Sequence, residues 1–229
     1  GSRCSSAAHA FDRIARSGFG SPYMDIQLPC GGALEITLIP NPDRAILSNA
    51  CAALLQRDPA HVFVDVDTAS LAETVAETTL QITYEPDIHF TVLGKGPEAT
   101  VFTALARAAG FPADMWSPDA YDEHRLQKNV FPESAVADQW AAIVLFFHDH
   151  DWEPALLEAA LKTDAFYIGA QGSKRARATR DAILSAKGIT GEHIARINGP
   201  IGLIPSARDP QTLAVSVLAD VLATFKARQ

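Results

Sequence analysis

Hydrophobic positions in the second half of the chain come in short, largely apolar runs. Each run is followed by a polar or glycine-bearing turn and then by a stretch of helical period. Phe90–Leu93, Asp114–Trp116, Ala142–Phe147, Ala165–Ile168 and Arg196–Ile197 predict strands. Thr100–Ala109, Trp152–Leu161, Arg175–Ala186 and Pro210–Phe225 predict the helices that separate or follow them. Apolar runs without alternation belong to strands buried on both faces, and regular strand–helix alternation belongs to a parallel sheet with helices on both sides. An α/β fold follows, with a Rossmann-like domain and a mainly parallel sheet over residues 87–229.

The first 86 residues pattern differently. Ala7–Arg16 sets Ala10, Phe11, Ile14 and Ala15 on one helical face before Gly18, Gly20, Ser21 and Pro22 break it. Tyr23–Leu28 and Leu34–Ile39 are β-rich on either side of Pro29-Cys30-Gly31-Gly32, which predicts a hairpin or tight connection. Asn41-Pro42-Asp43 opens a helix carrying Ile46, Leu47, Ala50, Leu54 and Leu55, with Cys51 expected in its core. His61–Val66 and Thr78–Tyr84 predict further strands, and Glu85-Pro86-Asp87 a linker. Residues 1–86 therefore form a small N-terminal α+β domain.

Composition narrows the partners. Of 229 residues, 48% are hydrophobic, ample for a packed core, and the formal charge of −8 disfavours nucleic acid and anionic membranes. No run is long enough to span a membrane, no secretory pattern is visible, and a cytoplasmic location is expected. Cys4, Cys30 and Cys51 are odd in number and irregular in spacing, as in reduced thiols; no zinc spacing is present and no metal site is expected.

Candidate chemistry sits where predicted strands end. Phe90-Thr-Val-Leu-Gly-Lys-Gly-Pro-Glu-Ala99 is strand, glycine turn and helix in the order of a dinucleotide fingerprint, with Gly94 and Gly96 at the turn. About twenty residues on, where a ribose-binding acid belongs, stands Ser117, followed by Pro118-Asp119. The turn is thus either a nucleotide site or plain scaffold. His148 and Asp149 follow the next strand, in a cluster with His150, Asp151 and Glu153 that suits a divalent metal, proton transfer or a polar loop, although neighbours on a strand end point in different directions and all five cannot converge on one ion; Asp151 is expected to cap the helix after it. Gly169, Gly172, Ser173, Lys174 and Arg175 form a third junction, suited to a phosphate at a helix N-terminus or to a simple Ser-capped helix. Cys30, flanked by Gly31 and Gly32, is either an exposed thiol or a buried turn residue.

Several ordered segments resemble one family. Leu28-Pro-Cys-Gly-Gly-Ala-Leu-Glu35 is similar to the Cys-Gly-Gly segment of the XdhC/CoxI family, and Phe147-His148-Asp149 to its Thr-His-Asp loop. Tyr167-Ile-Gly-Ala-Gln-Gly-Ser-Lys-Arg175 resembles its Tyr-Ile-Gly-x-x-Gly-Ser-x-Arg motif. Gly199-Pro-Ile-Gly-Leu203 and Thr212–Asp220 resemble its C-terminal segments. Three departures accompany the likeness: Arg3-Cys4-Ser5-Ser6 is at best a remnant of an early Ser-Gly-Gly-Cys-Val-Glu element, so a shortened first domain is expected; Gly94-Lys95-Gly96-Pro97 replaces Gly-Ala-Gly-His; and Ser117-Pro118-Asp119 replaces Asp-x-Arg.

The resemblance implies a molybdenum cofactor (molybdopterin) chaperone. Such a protein protects the cofactor, assists its sulfuration, and inserts it into a xanthine dehydrogenase-type molybdoenzyme, with a cysteine desulfurase as a further partner. Its work would be binding and handover, with no catalytic residue. The cofactor-binding set it implies is Cys30, Gly31, Gly32, Gly94, Gly96, His148, Asp149, Gly169, Gly172, Ser173, Lys174 and Arg175. The alternatives are an NAD(P)-dependent Rossmann oxidoreductase, against which the missing ribose acid argues, and a degenerate non-catalytic assembly or regulatory subunit. Poorly covered strand surface from Tyr23 to Ile39 points to a homodimer.

Overall fold

The computed structural model describes residues 14–17, 34–72, 74–75 and 79–228. Two compact units divide the chain, Gly1–Pro86 and Asp87–Gln229. In the first, β1 (Ile14–Ser17) pairs antiparallel with β2 (Leu34–Thr37), Ile14 opposite Thr37 and Ser17 opposite Leu34. The helix expected over Ala7–Arg16 is therefore corrected at its end. The ladder to β2 supplies the hydrogen bonds of Ile14–Ser17, and a short helix with a costly nucleus does not outweigh it. The expected strand Tyr23–Leu28, its turn at Cys30–Gly32, and Cys4 lie outside the described residues.

Asp43 caps α1 (Arg44–Leu55), its Oδ1 accepting the Ala45 N–H at 2.7 Å. None of the α1 residues is buried. Cys51, expected in a core, is exposed, because the apolar stripe of α1 stays only half covered. A three-stranded antiparallel sheet follows, in the order β4 (Ser70–Ala72), β3 (Ala60–Asp65), β5 (Thr79–Tyr84). Along β3 the alternation of a half-covered sheet is visible, with Ala60, Val62 and Val64 buried.

The second unit builds a five-stranded sheet from β6 (His89–Gly94), β7 (Ala113–Trp116), β8 (Ala141–Phe146), β9 (Tyr167–Ala170) and β10 (Ile197–Asn198). The spatial order is β10-β9-β8-β6-β7, and every neighbouring pair is parallel. Every residue of β6 and β8 is buried, β8 as an unbroken apolar run and β6 with His89 and Thr91 among its apolar residues. On one face α2 (Pro97–Ala108) and α6 (Pro210–Lys226) bring Phe102, Ala106, Leu213 and Val217 against Phe90, Val92 and Val144. On the other, α3 (Glu153–Ala160), α4 (Lys174–Ala186) and α5 (Gly191–Ala195) bring Leu156, Leu184 and Ile194 against Ile143 and Ile168. The Rossmann-like expectation holds. The chain departs from its first strand to β7 on one side and β8 on the other, so the topological switch lies between β6 and β8.

Candidate functional site

Parallel strands deliver their following loops to one edge of the sheet, and ligands of such sheets bind there, outside the carboxyl ends of the strands. At the switch, the Lys95 N–H donates to the Phe146 carbonyl at 3.2 Å and ties the two strand ends together. A Cβ on Gly94 would stand 2.5 Å from that carbonyl oxygen, so only glycine closes the gap. Gly96 has φ +89° and precedes α2 with no side-chain cap. The two glycines make a tight strand-to-helix turn that leaves the first N–H groups of α2 without a side-chain cap.

A carboxylate occupies its neighbourhood. Glu98, in the first turn of α2, keeps 13% of its side chain exposed and holds His148 Nε2 at 3.2 Å through Oε1. Its Oε2 lies 3.4 Å from where a Cβ on Gly96 would stand and has no hydrogen-bond partner among the described residues. A buried negative charge beside the turn repels a pyrophosphate that would otherwise enjoy the helix N-terminus. The ribose position is also spent on structure. Ser117 is buried; its N–H donates to the His124 carbonyl at 3.0 Å, and its own carbonyl accepts from Leu126 N–H at 2.9 Å.

The loop from β9 to α4 is open where the first turn is filled. Ser173 caps α4, its Oγ accepting the Ala176 N–H at 3.2 Å, and Lys174 and Arg175 are exposed in the first helical turn. Beneath them Arg180 is buried, with Nε donating to Glu153 Oε2 at 2.8 Å and Nη2 donating to the Gln171 carbonyl at 3.0 Å. A buried pair of this kind is weak evidence of stability, but it fixes the start of α3 against the loop. Arg177 donates to the carbonyl of Gly199 on the neighbouring strand end.

Two cavities of about 280 Å³ each flank this loop. One lies between α3 and α4, against Ser173, Arg175, Thr179 and Arg180. The other lies under the segment after β10, against Gln171, Gly172, Ser173, Pro200, Ile201 and Leu213. That segment is pinned to α6. Asp220 Oδ2 accepts from the Tyr167 hydroxyl at 2.7 Å and from the Gly202 N–H at 3.1 Å, and Ser216 Oγ accepts from the Ile204 N–H at 2.7 Å. Burial, then the neighbouring Asp220 carboxylate, raises the Tyr167 hydroxyl well above the ordinary phenol range. A cavity of about 730 Å³ beside Asp164, Thr190 and Arg196 lies at the opposite edge, where β9 and β10 begin, away from the strand-end loops.

The structure gathers Gly94, Gly96 and His148 around Glu98, and Gly172, Ser173, Lys174 and Arg175 around the β9–α4 loop, with Gly169 inside β9. Cys30, Gly31 and Gly32 lie outside the described residues. The expected cap at Asp151 is corrected: Asp149 accepts the Asp151 N–H at 3.2 Å in a single 3-10 turn, His150–Trp152, and α3 starts at Glu153, with Trp152 at its N-cap position and no side-chain cap. The turn stands between strand and helix, so the acid that meets a free N–H is two residues earlier. Among the described residues, no group of three or more His, Cys, Asp or Glu could hold a metal ion. Glu98, Gln171 and Arg180 were not singled out by spacing, although Glu98 and Gln171 lie within motifs that were and Arg180 follows one by five residues.

Residues 90–221, more than half of the chain, match the family model of the XdhC Rossmann domain. The chain belongs to the XdhC family. This XdhC chain is 35% identical over 219 residues to the molybdenum cofactor insertion chaperone PaoD of Escherichia coli K12, a match covering 92% of the chain and 65% of that relative. It is 27% identical over 144 residues to the uncharacterized protein YqeB of the same organism, covering 57% of the chain and 26% of YqeB. It thus spans less than two thirds of the length of either relative. A crystal structure described as a xanthine dehydrogenase from Bacillus halodurans superposes with a TM-score of 0.65 at 16% identity, covering 86% of this chain and 68% of that one. That likeness bears on the XdhC fold alone. No helix among the described residues is long and apolar enough to cross a membrane.

Proposed function

We propose that this XdhC chain binds a molybdenum cofactor and hands it to a molybdoenzyme, without turnover of its own. The observation that carries the reading is the β9–α4 loop: a capped helix N-terminus with Lys174 and Arg175 in its first turn and a cavity on each side. Such a loop accepts a phosphorylated cofactor tail through backbone N–H groups and charge-assisted hydrogen bonds. The 35% identity to a relative named as a molybdenum cofactor insertion chaperone supports the same reading. Insertion into a xanthine dehydrogenase-type enzyme, help with sulfuration by a cysteine desulfurase, a cytoplasmic location and a homodimeric state belong to the proposal as its finer parts. An NAD(P)-dependent oxidoreductase has less support, since Glu98 fills the phosphate turn and Ser117 stands at the ribose position.

Anaerobic equilibrium dialysis of the full chain against molybdenum cofactor tests the reading. Bound molybdenum and pterin in equal amounts, transferable to an apo-molybdoenzyme, are expected. Retention of neither, with the protein folded, overturns it.

A further inference from the structure

Arg180 meets three strand ends that are distant in the sequence. It stands in α4, about two turns beyond the Ser173 cap, and is only 3% exposed. Its Nε donates to Glu153 Oε2 at 2.8 Å, and Glu153, 1% exposed, opens α3 beyond the end of β8. Its Nη2 donates at 3.0 Å to the carbonyl of Gln171, the first residue after β9. A Cβ on Gly199, the first residue after β10, would stand 3.1 Å from Nη1. That is closer than ordinary contact, so the guanidinium lies directly against the Gly199 backbone. Arg177, one turn earlier on α4, donates to the carbonyl of the same glycine. The strands β10, β9 and β8 are neighbours in the sheet, so one side chain spans three adjacent strand ends.

Stability alone does not account for this arrangement. Two buried charges give up their hydration, and an apolar pair of similar volume often serves a core as well or better. An apolar pair lacks the reach. A guanidinium carries five N–H donors in a rigid planar fork and can fix several acceptors at once. The fork also stands between the two cavities beside the β9–α4 loop. Arg180 and Glu153 line one, Gln171 lines the other, and Ser173 borders both. A shift of Gln171 or of the segment that follows Gly199 therefore changes the walls of the site.

We propose that Arg180 is a positioning residue: it holds the ends of β8, β9 and β10 as one frame and thereby sets the affinity of the β9–α4 loop for its ligand. The identity of the ligand rests on the cofactor reading above; the frame does not.

The test compares the wild-type full chain with two variants. Glu153→Leu with Arg180→Met replaces the pair by apolar side chains of similar size. Arg180→Lys keeps a charge beside Glu153 but removes the fork. Melting temperature, amide hydrogen exchange without ligand, and retention of molybdenum cofactor in anaerobic dialysis are read on all three proteins. Both variants are expected to melt within a few degrees of wild type. Exchange at Gly172, Ser173 and Ile201 is expected to quicken at least about tenfold, with Val92 and Val144 in the core strands unchanged. Cofactor affinity is expected to fall at least about tenfold. A purely structural role would instead lower the melting temperature and leave loop exchange and affinity of the folded protein as they were. Should the double variant fail to fold, Arg180→Lys decides. Wild-type exchange at the three loop amides, or unchanged cofactor affinity, in a folded variant overturns the proposal. No retention by wild type overturns the cofactor reading instead, and exchange alone then upholds or overturns the frame.

Discussion

At the scale of single residues, Glu98 decides what the glycine turn can do. Gly94 and Gly96 shape a tight strand-to-helix turn, and a carboxylate lies against it, held there by His148 at 3.2 Å. Removing that charge opens the N-terminus of α2. Glu98→Ala is expected to tighten ADP-ribose binding about tenfold or more, the effect of relieving roughly 1–3 kcal/mol of like-charge and desolvation cost. Calorimetry on wild type and variant checks it, and unchanged affinity would free Glu98 of the role. The glycines were legible in the sequence because their types and spacing carry the signal. The obstruction was not, because a Glu in the first turn of a helix is ordinary, and only the fold brings it beside Gly96 and His148. Cys51 teaches the same lesson: its alanine neighbours suggest a core, but burial depends on what covers α1, and nothing buries it fully.

At the scale of elements, local chemistry was readable and pairing was not. Asp43 and Ser173 cap their helices as their residue types predict, and the largely apolar runs at β6 and β8 are buried throughout. Ile14–Ser17 became a strand through a partner about twenty residues away, and the three-residue β4 and five-residue α5 are too short to impose a period. The β9–α4 junction carries two predictions. Replacing Lys174 and Arg175 together by Ala is expected to weaken cofactor binding by about 1–3 kcal/mol, as for lost charge-assisted hydrogen bonds; dialysis reads it, and equal affinity would remove this turn from the site. Tyr167 gives a pH dependence. Its neutral phenol donates to Asp220 from a buried position, so its folded pKa lies above the unfolded value of about 10. Stability from this contact is therefore complete below about pH 10 and falls as pH rises beyond it. Tyr167→Phe is expected to cost about 1 kcal/mol near neutrality and to lose less than wild type above pH ~10. Melting temperatures across the alkaline range decide it; parallel curves would separate the phenol from the alkaline loss.

At the scale of the whole molecule, the two units differ in what they bury. Both large apolar clusters lie entirely in the second unit, from Ile88 through Val221, and fill both faces of its sheet. In the first unit the described buried apolar residues are Ala60, Val62, Val64 and Ala69, and Leu38, Leu55 and Leu80 stay more than half exposed. A domain folds alone when it owns a core of this kind, and burying each large side chain contributes about 1.5–3 kcal/mol before the entropy of ordering is subtracted. Every group that shapes the β9–α4 loop and its two cavities, from Glu153 to Asp220, also belongs to the second unit. A chain of residues 87–229 is therefore expected to unfold in one cooperative transition, with a melting temperature within a few degrees of the second unit's transition in the full chain. It should also retain the cofactor affinity of the intact protein, because the β9–α4 loop and the pinning of Gly202 and Ile204 by Asp220 and Ser216 are wholly internal to it. Calorimetric melting together with anaerobic dialysis of the shortened chain against molybdenum cofactor checks both halves. A folded fragment that no longer retains the cofactor would mean that residues 87–229 do not suffice for binding, and a fragment with no cooperative transition would mean that the second unit's core does not stand alone.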